Sequence, residues 1–218
     1  MDEFDDEDYA KQKELEDSND KLSNTQPKLN LPKVVLYSFF GAFTVFQATI
    51  LFSLIPTLRG KGAPFLPTKK KIVEKIFEEL KTEFHGSFRG KHFADLGSGD
   101  GRLVIAATMK GFESSFGVEI NPMLVAFSWI RFFFFGGGMK WNNLKRTTFS
   151  VRDLWKIDLS KMDVVVIYGV NPIMQKIGQK LKSEMKPGSI VVSNVFQIPN
   201  LNPYKQFSTP VSLYFYKI

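Results

Sequence analysis

Four side-chain positions in one short stretch could do chemistry here: Asp95, Gly97, Gly99 and Gly101, within Phe93-Ala94-Asp95-Leu96-Gly97-Ser98-Gly99-Asp100-Gly101-Arg102. About twenty residues on comes a second acid, Glu119, in Gly117-Val118-Glu119-Ile120-Asn121. The pattern reads as an apolar strand that ends in a carboxylate, turns through alternate glycines and enters a helix at Arg102-Leu103-Val104. Glycine accepts the positive φ values such a turn requires and lets backbone approach a ligand closely. The helix beyond it begins with unpaired N–H groups. Glu119, at the tip of the next strand, can accept hydrogen bonds from both hydroxyls of a ribose.

Two better-known glycine motifs fit poorly. A dinucleotide fingerprint needs its third glycine where this chain has Arg102, and it has no use for an acid at Asp95. A phosphate loop needs Gly-Lys-Ser/Thr, which is absent. An acid followed by Gly-x-Gly-x-Gly suits S-adenosylmethionine, whose ammonium and sulfonium charges favour carboxylates and need no phosphate cradle.

The elements that must position these groups read as an α/β fold. Thr68 is expected to cap a helix over 69–84, with Ile72, Val73, Ile76, Phe77 and Leu80 at helical spacing, after the stiff lead-in Pro64-Phe65-Leu66-Pro67. A short helix, 103–110, closed by Gly111, follows the glycine turn, then a strand over 115–120. Asn121-Pro122 opens a helix to Phe135, whose Trp129-to-Phe135 end is apolar nearly all round and reads as core or as a face on a membrane. Gly136-Gly137-Gly138 is a mobile connection. Strands are expected over 147–151, 163–168 and 189–196, a helix over 173–185, and a final antiparallel hairpin over 204–207 and 211–216. The 163–168 run is continuous and apolar, as in the middle of a parallel sheet.

With those residues in view, the chain resembles class I S-adenosylmethionine-dependent methyltransferases. Within them it is similar to the membrane-anchored family that methylates lysines of the ATP synthase c-subunit and the adenine nucleotide translocase in mitochondria. The likeness rests on Pro64 to Thr68, Asp95 to Arg102, Gly117 to Pro122, and Arg152-Asp153-Leu154-Trp155-Lys156, and covers about residues 34–200. It implies a Rossmann-like seven-stranded sheet with helices on both faces, over 61–218. It implies S-adenosylmethionine held by Asp95, Gly97, Ser98, Gly99, Gly101, Glu119 and Asn121, with Pro67 and Thr68 packing over it. Asp153 is the candidate for the adenine amino group, or else a turn-capping aspartate. The loop Gly169-Val170-Asn171-Pro172 leaves the sheet where open α/β folds place ligands. It resembles the Asn-Pro-Pro-aromatic motif of amino-group methyltransferases only in part, since Ile173 replaces the second proline. Tyr168 and Asn171 are the candidates to orient the amine, with Trp155 or Phe65 as a wall. No metal is expected: His85 and His92 read as solvated, and no carboxylate–histidine cluster has metal spacing.

Composition adds a membrane to this picture. Residues 34–55 carry no formal charge and as a helix would be about 33 Å long, the thickness of a bilayer core. The chain of 218 residues carries +7, but residues 1–30 hold ten acids against four lysines. The remainder holds twelve acids against twenty-five basic residues, so the body is strongly basic. The tail 1–30 is expected to be disordered. Lys28 and Lys33 precede the apolar run, while Arg59, Lys61, Lys69, Lys70 and Lys71 follow it. The positive-inside bias therefore puts the body on the matrix or cytosolic face, and the resemblance points to the mitochondrial inner membrane, with an integral membrane protein as substrate. Cysteine is absent, which excludes disulfides and thiolate metal sites. A lipid, quinone or nucleic-acid methyltransferase, or a non-catalytic membrane adaptor, remain alternatives, nucleic acid being the less favoured partner.

Overall fold

A computed structural model of the chain describes residues 13–16, 18, 31–58, 66–135, 140–208 and 211–218, with side chains of the long helix described from 33 to 48. The chain forms two compact units, 1–47 and 48–218. In the first, residues 13–16 and 18 are helical, and Ser18 Oγ donates to the Leu15 carbonyl at 2.9 Å. Lys13, Glu14, Leu15 and Glu16 are good helix formers. The rest of 1–30 lies outside the described residues.

Helix α1, Leu31–Leu58, runs for 28 residues. Its described side chains are almost all exposed, including Phe39 at 67% and Phe46 at 58%. Among the described residues no helix is long and apolar enough to cross a membrane.

The second unit is built on a seven-stranded sheet. After α2 (Lys70–Glu83) come β1 (His92–Leu96), α3 (Arg102–Lys110), β2 (Ser114–Glu119), α4 (Pro122–Phe135), α5 (Trp141–Arg146), β3 (Thr147–Val151) and a 3-10 turn, Leu154–Lys156. Then follow β4 (Val164–Ile167), α6 (Asn171–Glu184), β5 (Ile190–Asn194), β6 (Lys205–Phe207) and β7 (Leu213–Lys217). The strand order is β3-β2-β1-β4-β5-β7-β6. The first five strands are parallel, and β7 runs antiparallel to both β5 and β6. This is the Rossmann-like sheet that the resemblance implies. The chain reverses its direction of travel across the sheet between β1 and β4, so the carboxyl ends of those strands flank the crevice where such folds take ligands.

Alternation along the strands sorts the core into two layers. Phe93, Val164, Val166, Ile190 and Val192 face Ile72, Ile76, Phe77 and Leu80 of α2, with α3 and α4 in the same layer. Ala94, Leu96, Val165, Ile167 and Val191 face Met174, Ile177 and Leu181 of α6. The Trp129-to-Phe135 run divides accordingly: Phe132 is buried against Phe149, whereas Phe134 and Phe135 are 77% and 84% exposed.

Several expectations need correction. Thr68 does not cap α2: the helix begins one residue later, after an extended Lys69 that makes no side-chain cap, because Thr68 is buried and its carbonyl accepts from Arg102 Nη1. Helix α6 begins at Asn171 rather than Ile173, with Pro172 in its first turn, where a missing N–H costs nothing. Helix α5 has no counterpart among the expected elements, since six polar-rich residues show no periodicity. His92 is half-buried, with Nδ1 2.7 Å from Ser114 Oγ, while His85 is exposed. Pro64, Phe65 and the Gly136–Gly138 connection lie outside the described residues.

Candidate functional site

The glycine turn is strung between the tips of β1 and β2. Gly97 and Ser98 both donate their N–H to the Val118 carbonyl at 2.9 Å, which folds the turn back over the neighbouring strand. Gly97, Gly99 and Gly101 have φ of 88°, 52° and 74°, the left-handed region that glycine alone enters cheaply. Gly101 is doubly constrained: a Cβ there would lie 2.6 Å from the Phe149 ring and 2.8 Å from Ser128 Cβ. Ser128 of α4 donates to the Gly99 carbonyl at 3.0 Å, fixing the turn from the other side.

Glu119 ties this turn to the start of α4. Its Oε2 accepts from Gly99 N at 3.0 Å, and its Oε1 from Ile120 N at 2.8 Å and Asn121 N at 3.0 Å. Asn121 Oδ1 in turn accepts from Met123 N at 2.9 Å, capping α4. The other end of that buried amide, Nδ2, has no partner among the described residues.

Asp95 is 3% exposed, and among the described residues nothing donates to its carboxyl. Burial, then the charges of Glu119 and Asp100, push it up to about 8. Asp100 is different, being paired. Arg102 Nε donates to its Oδ1 at 2.9 Å and Arg131 Nη1 to its Oδ2 at 2.9 Å. Through Thr68, the same Arg102 links the lead-in of α2 to the turn, so Thr68 is held at the site while Pro67 beside it is exposed. Sequence reasoning missed this clamp. Asp100 and Arg102 stand two apart within the motif, but nothing local points to Arg131.

The remaining candidates fall along the same carboxyl edge. Arg152 N donates to the Glu119 carbonyl at 3.1 Å, which brings Asp153 beside the β2 tip. Asp153 Oδ1 accepts from Trp155 N at 3.1 Å, so it caps the 3-10 turn whatever else it does. Lys180 of α6 steadies that turn from below, donating to the Ile157 carbonyl at 2.6 Å. Tyr168 is half-buried one residue past Ile167, which pairs with Leu96; it therefore stands level with Gly97 on the neighbouring strand. Asn171 is exposed at the first position of α6, so the structure does not draw it into the glycine-turn cluster.

The arrangement suits a cationic ligand with a hydroxyl-bearing arm: a buried carboxyl and a second carboxylate meet positive charge, the Asn121 Nδ2 donor meets an oxygen acceptor, and the turn's glycines leave no side chains between backbone and ligand. It offers neither a phosphate cradle nor, among the described residues, a metal cluster.

A sequence profile described as the ANTKMT methyltransferase domain matches residues 95–205, just over half of the chain and the span that contains the glycine turn and Glu119. The chain belongs to this family of protein-lysine methyltransferases. The ATP synthase C-subunit lysine N-methyltransferase of Xenopus laevis is 32% identical over 192 residues, 88% of this chain and 79% of that protein. The adenine nucleotide translocase lysine N-methyltransferase of Mus musculus is 29% identical over 64% of this chain and 56% of its own length. Among solved structures, an RNA methyltransferase from Salinibacter ruber in complex with S-adenosyl-L-homocysteine superposes with a TM-score of 0.60 and 29% identity, covering 70% of this chain and 94% of that one. Membership makes the chain a transferase whose methyl donor is S-adenosylmethionine, and a site lined by carboxyl groups agrees with that cation.

Proposed function

We propose that this enzyme methylates the ε-amine of a lysine in an integral mitochondrial membrane protein, of the kind of the ATP synthase c-subunit or the adenine nucleotide translocase. The observation that carries the reading is the similarity to the frog c-subunit enzyme along 88% of the chain. Its cofactor is read as lying across the tips of β1 and β2. Asp95 faces the donor's positive charges. The backbone of Gly97, Ser98, Gly99 and Gly101 lines its path, Glu119 and Asn121 hold the ribose end, Asp153 meets the adenine, and Pro67 and Thr68 cover it. When bound, the donor supplies an electrophilic methyl on sulfonium, and no metal is needed. The chain's own work is to hold the amine in line with that methyl, which can remove several kcal/mol from the barrier. Tyr168 supports this by offering an oxygen level with the glycine turn, and Asn171 flanks it at the opening of α6.

We further assign the uncharged run 34–55, within α1, to a membrane anchor, with the basic body on the matrix side of the inner membrane. Fixing the enzyme beside an integral substrate raises the effective concentration of the target lysine. The test is mass spectrometry of lysine methylation in membranes from cells with and without the chain. Loss of methyl from a lysine of one integral protein is expected; an unchanged methylation pattern rejects the reading. The RNA methyltransferase neighbour and the basic body favour a second reading, an RNA substrate. Methyl transfer to RNA but not to membrane protein in the same purified system would select it.

A further inference from the structure

Among the described residues three buried side-chain atoms lack a partner: Ser115 Oγ, Asn121 Nδ2 and Asn194 Oδ1. Ser115 lies near the amino end of β2. The other two sit at carboxyl ends, a donor in the half of the crevice assigned to the cofactor and an acceptor at the tip of β5. Asn194 is only 3% exposed, and leaving an acceptor without a partner in a buried position costs stability.

The next residue carries a second cost. Val195 has φ +75°, a left-handed conformation that is a genuine outlier for a β-branched side chain. Its neighbours enforce it: Val195 N donates to the Ser212 carbonyl at 2.7 Å, and Ser193 Oγ donates to the Phe196 carbonyl. Two unfavourable features on adjacent residues, the second held by well-formed bonds, mark a place where the fold gives up stability for a ligand.

Position says which ligand. Asp95 pairs with Val166, which pairs with Val192, and Asn194 lies one pleat beyond Val192 on the same face of the sheet. Two strand spacings across and two residues along place Asn194 roughly 12 Å from Asp95, backbone to backbone. Between them on β4 stands half-buried Tyr168, level with Asn194. An amide oxygen accepts N–H donors, and being neutral it orients an amine without trapping it as ammonium as a carboxylate would.

We propose that Asn194 Oδ1 is the acceptor that receives the ε-amine of the target lysine and aims its lone pair at the transferring methyl. This rests on the lysine-methyltransferase reading above. The nitrogen lone pair forms the N–C bond as the S–C bond breaks and its electrons return to sulfur, and the extra proton on nitrogen leaves to solvent.

The experiment uses the full-length chain in detergent, purified unmethylated ATP synthase c-subunit, S-adenosylhomocysteine, and sinefungin, a donor analogue with an amine in place of the S-methyl group. Asn194→Ala is expected to lower kcat/KM for the c-subunit at least tenfold and to abolish any preference for sinefungin over S-adenosylhomocysteine. Its S-adenosylhomocysteine affinity should stay within twofold, and its unfolding midpoint should be equal to or above that of the wild type. A merely structural asparagine would lower the midpoint and leave the affinity ratio untouched, and that result overturns the proposal. Val195→Gly, which relieves the strain but keeps the amide, should raise the midpoint and reduce turnover several-fold; unchanged turnover also overturns it. If the wild-type chain methylates the c-subunit and Asn194→Ala does so equally well, only the role of Asn194 falls. If the wild type binds donor but methylates no lysine, the lysine reading fails and this proposal with it.

Discussion

Asp95 couples cofactor binding to protonation. In the ligand-free protein its carboxyl sits at about 8 against an ordinary 3.8, because burial and the Glu119 and Asp100 charges penalise the ionised form. Between about pH 4 and pH 8 the folded state holds a proton there that the unfolded state has lost. The stability this group contributes is therefore complete below about pH 4 and is lost as pH rises through 8. Asp95→Asn removes that dependence: the ligand-free variant should match the wild type near pH 4 and unfold at higher denaturant near pH 9. Cofactor cations favour the carboxylate, so wild-type binding at pH 7 should release a proton, visible by calorimetry in buffers of different ionisation enthalpy. The variant should release none and bind at least about tenfold more weakly, on the order of 1.4 kcal/mol. Glu119 has a different part, since its carboxylate satisfies three backbone N–H groups. Glu119→Ala should lose roughly 2 kcal/mol in urea unfolding as well as cofactor affinity.

At the scale of elements, the turn between β1 and α3 separates two effects that glycine can serve. Gly97 has φ +88° but open space where a methyl group would stand, so Gly97→Ala should cost only the left-handed penalty, about 1–2 kcal/mol. Gly101 has φ +74° and would drive its Cβ into Phe149 and Ser128, so Gly101→Ala should cost more than about 3 kcal/mol by chemical denaturation. Equal losses at the two positions would show that α4 and β3 do not pack against the turn as described. The turn was legible beforehand because its constraint is local: backbone conformation is written in the residue that adopts it. The buried strand β4 was legible for the same reason, as an uninterrupted Val164-Val165-Val166-Ile167. Helix α5 and the cap of α2 were not. Helix α5 is six polar-rich residues, and α2 starts where tertiary bonds from Arg102 release the chain rather than where a capping side chain sits.

For the molecule as a whole, the unit spanning 48–218 contains both hydrophobic layers and every site residue, so it should fold and bind cofactor by itself. A chain lacking residues 1–47 should keep donor affinity within twofold and leave the membrane pellet for the supernatant. It should methylate the ATP synthase c-subunit in detergent but at least tenfold less in intact membranes. Membrane retention of that truncated chain would assign anchoring to the body instead. The sequence by itself determined the kind of ligand, since alternate glycines and acids at strand tips act through backbone freedom and charge, both properties of short segments. It also determined the parallel sheet, through runs long enough to fill a strand and apolar enough to need covering on both faces. Only the tertiary structure decided which polar groups share a site. Asp100 finds Arg131 and Glu119 finds Gly99 across 31 and 20 residues of chain. Asn194 Oδ1 is left buried without a partner among the described residues, at the end of β5, beside β4 and one pleat beyond the level of Asp95. Contacts between segments distant in sequence are fixed by how layers pack, and no single segment carries that information.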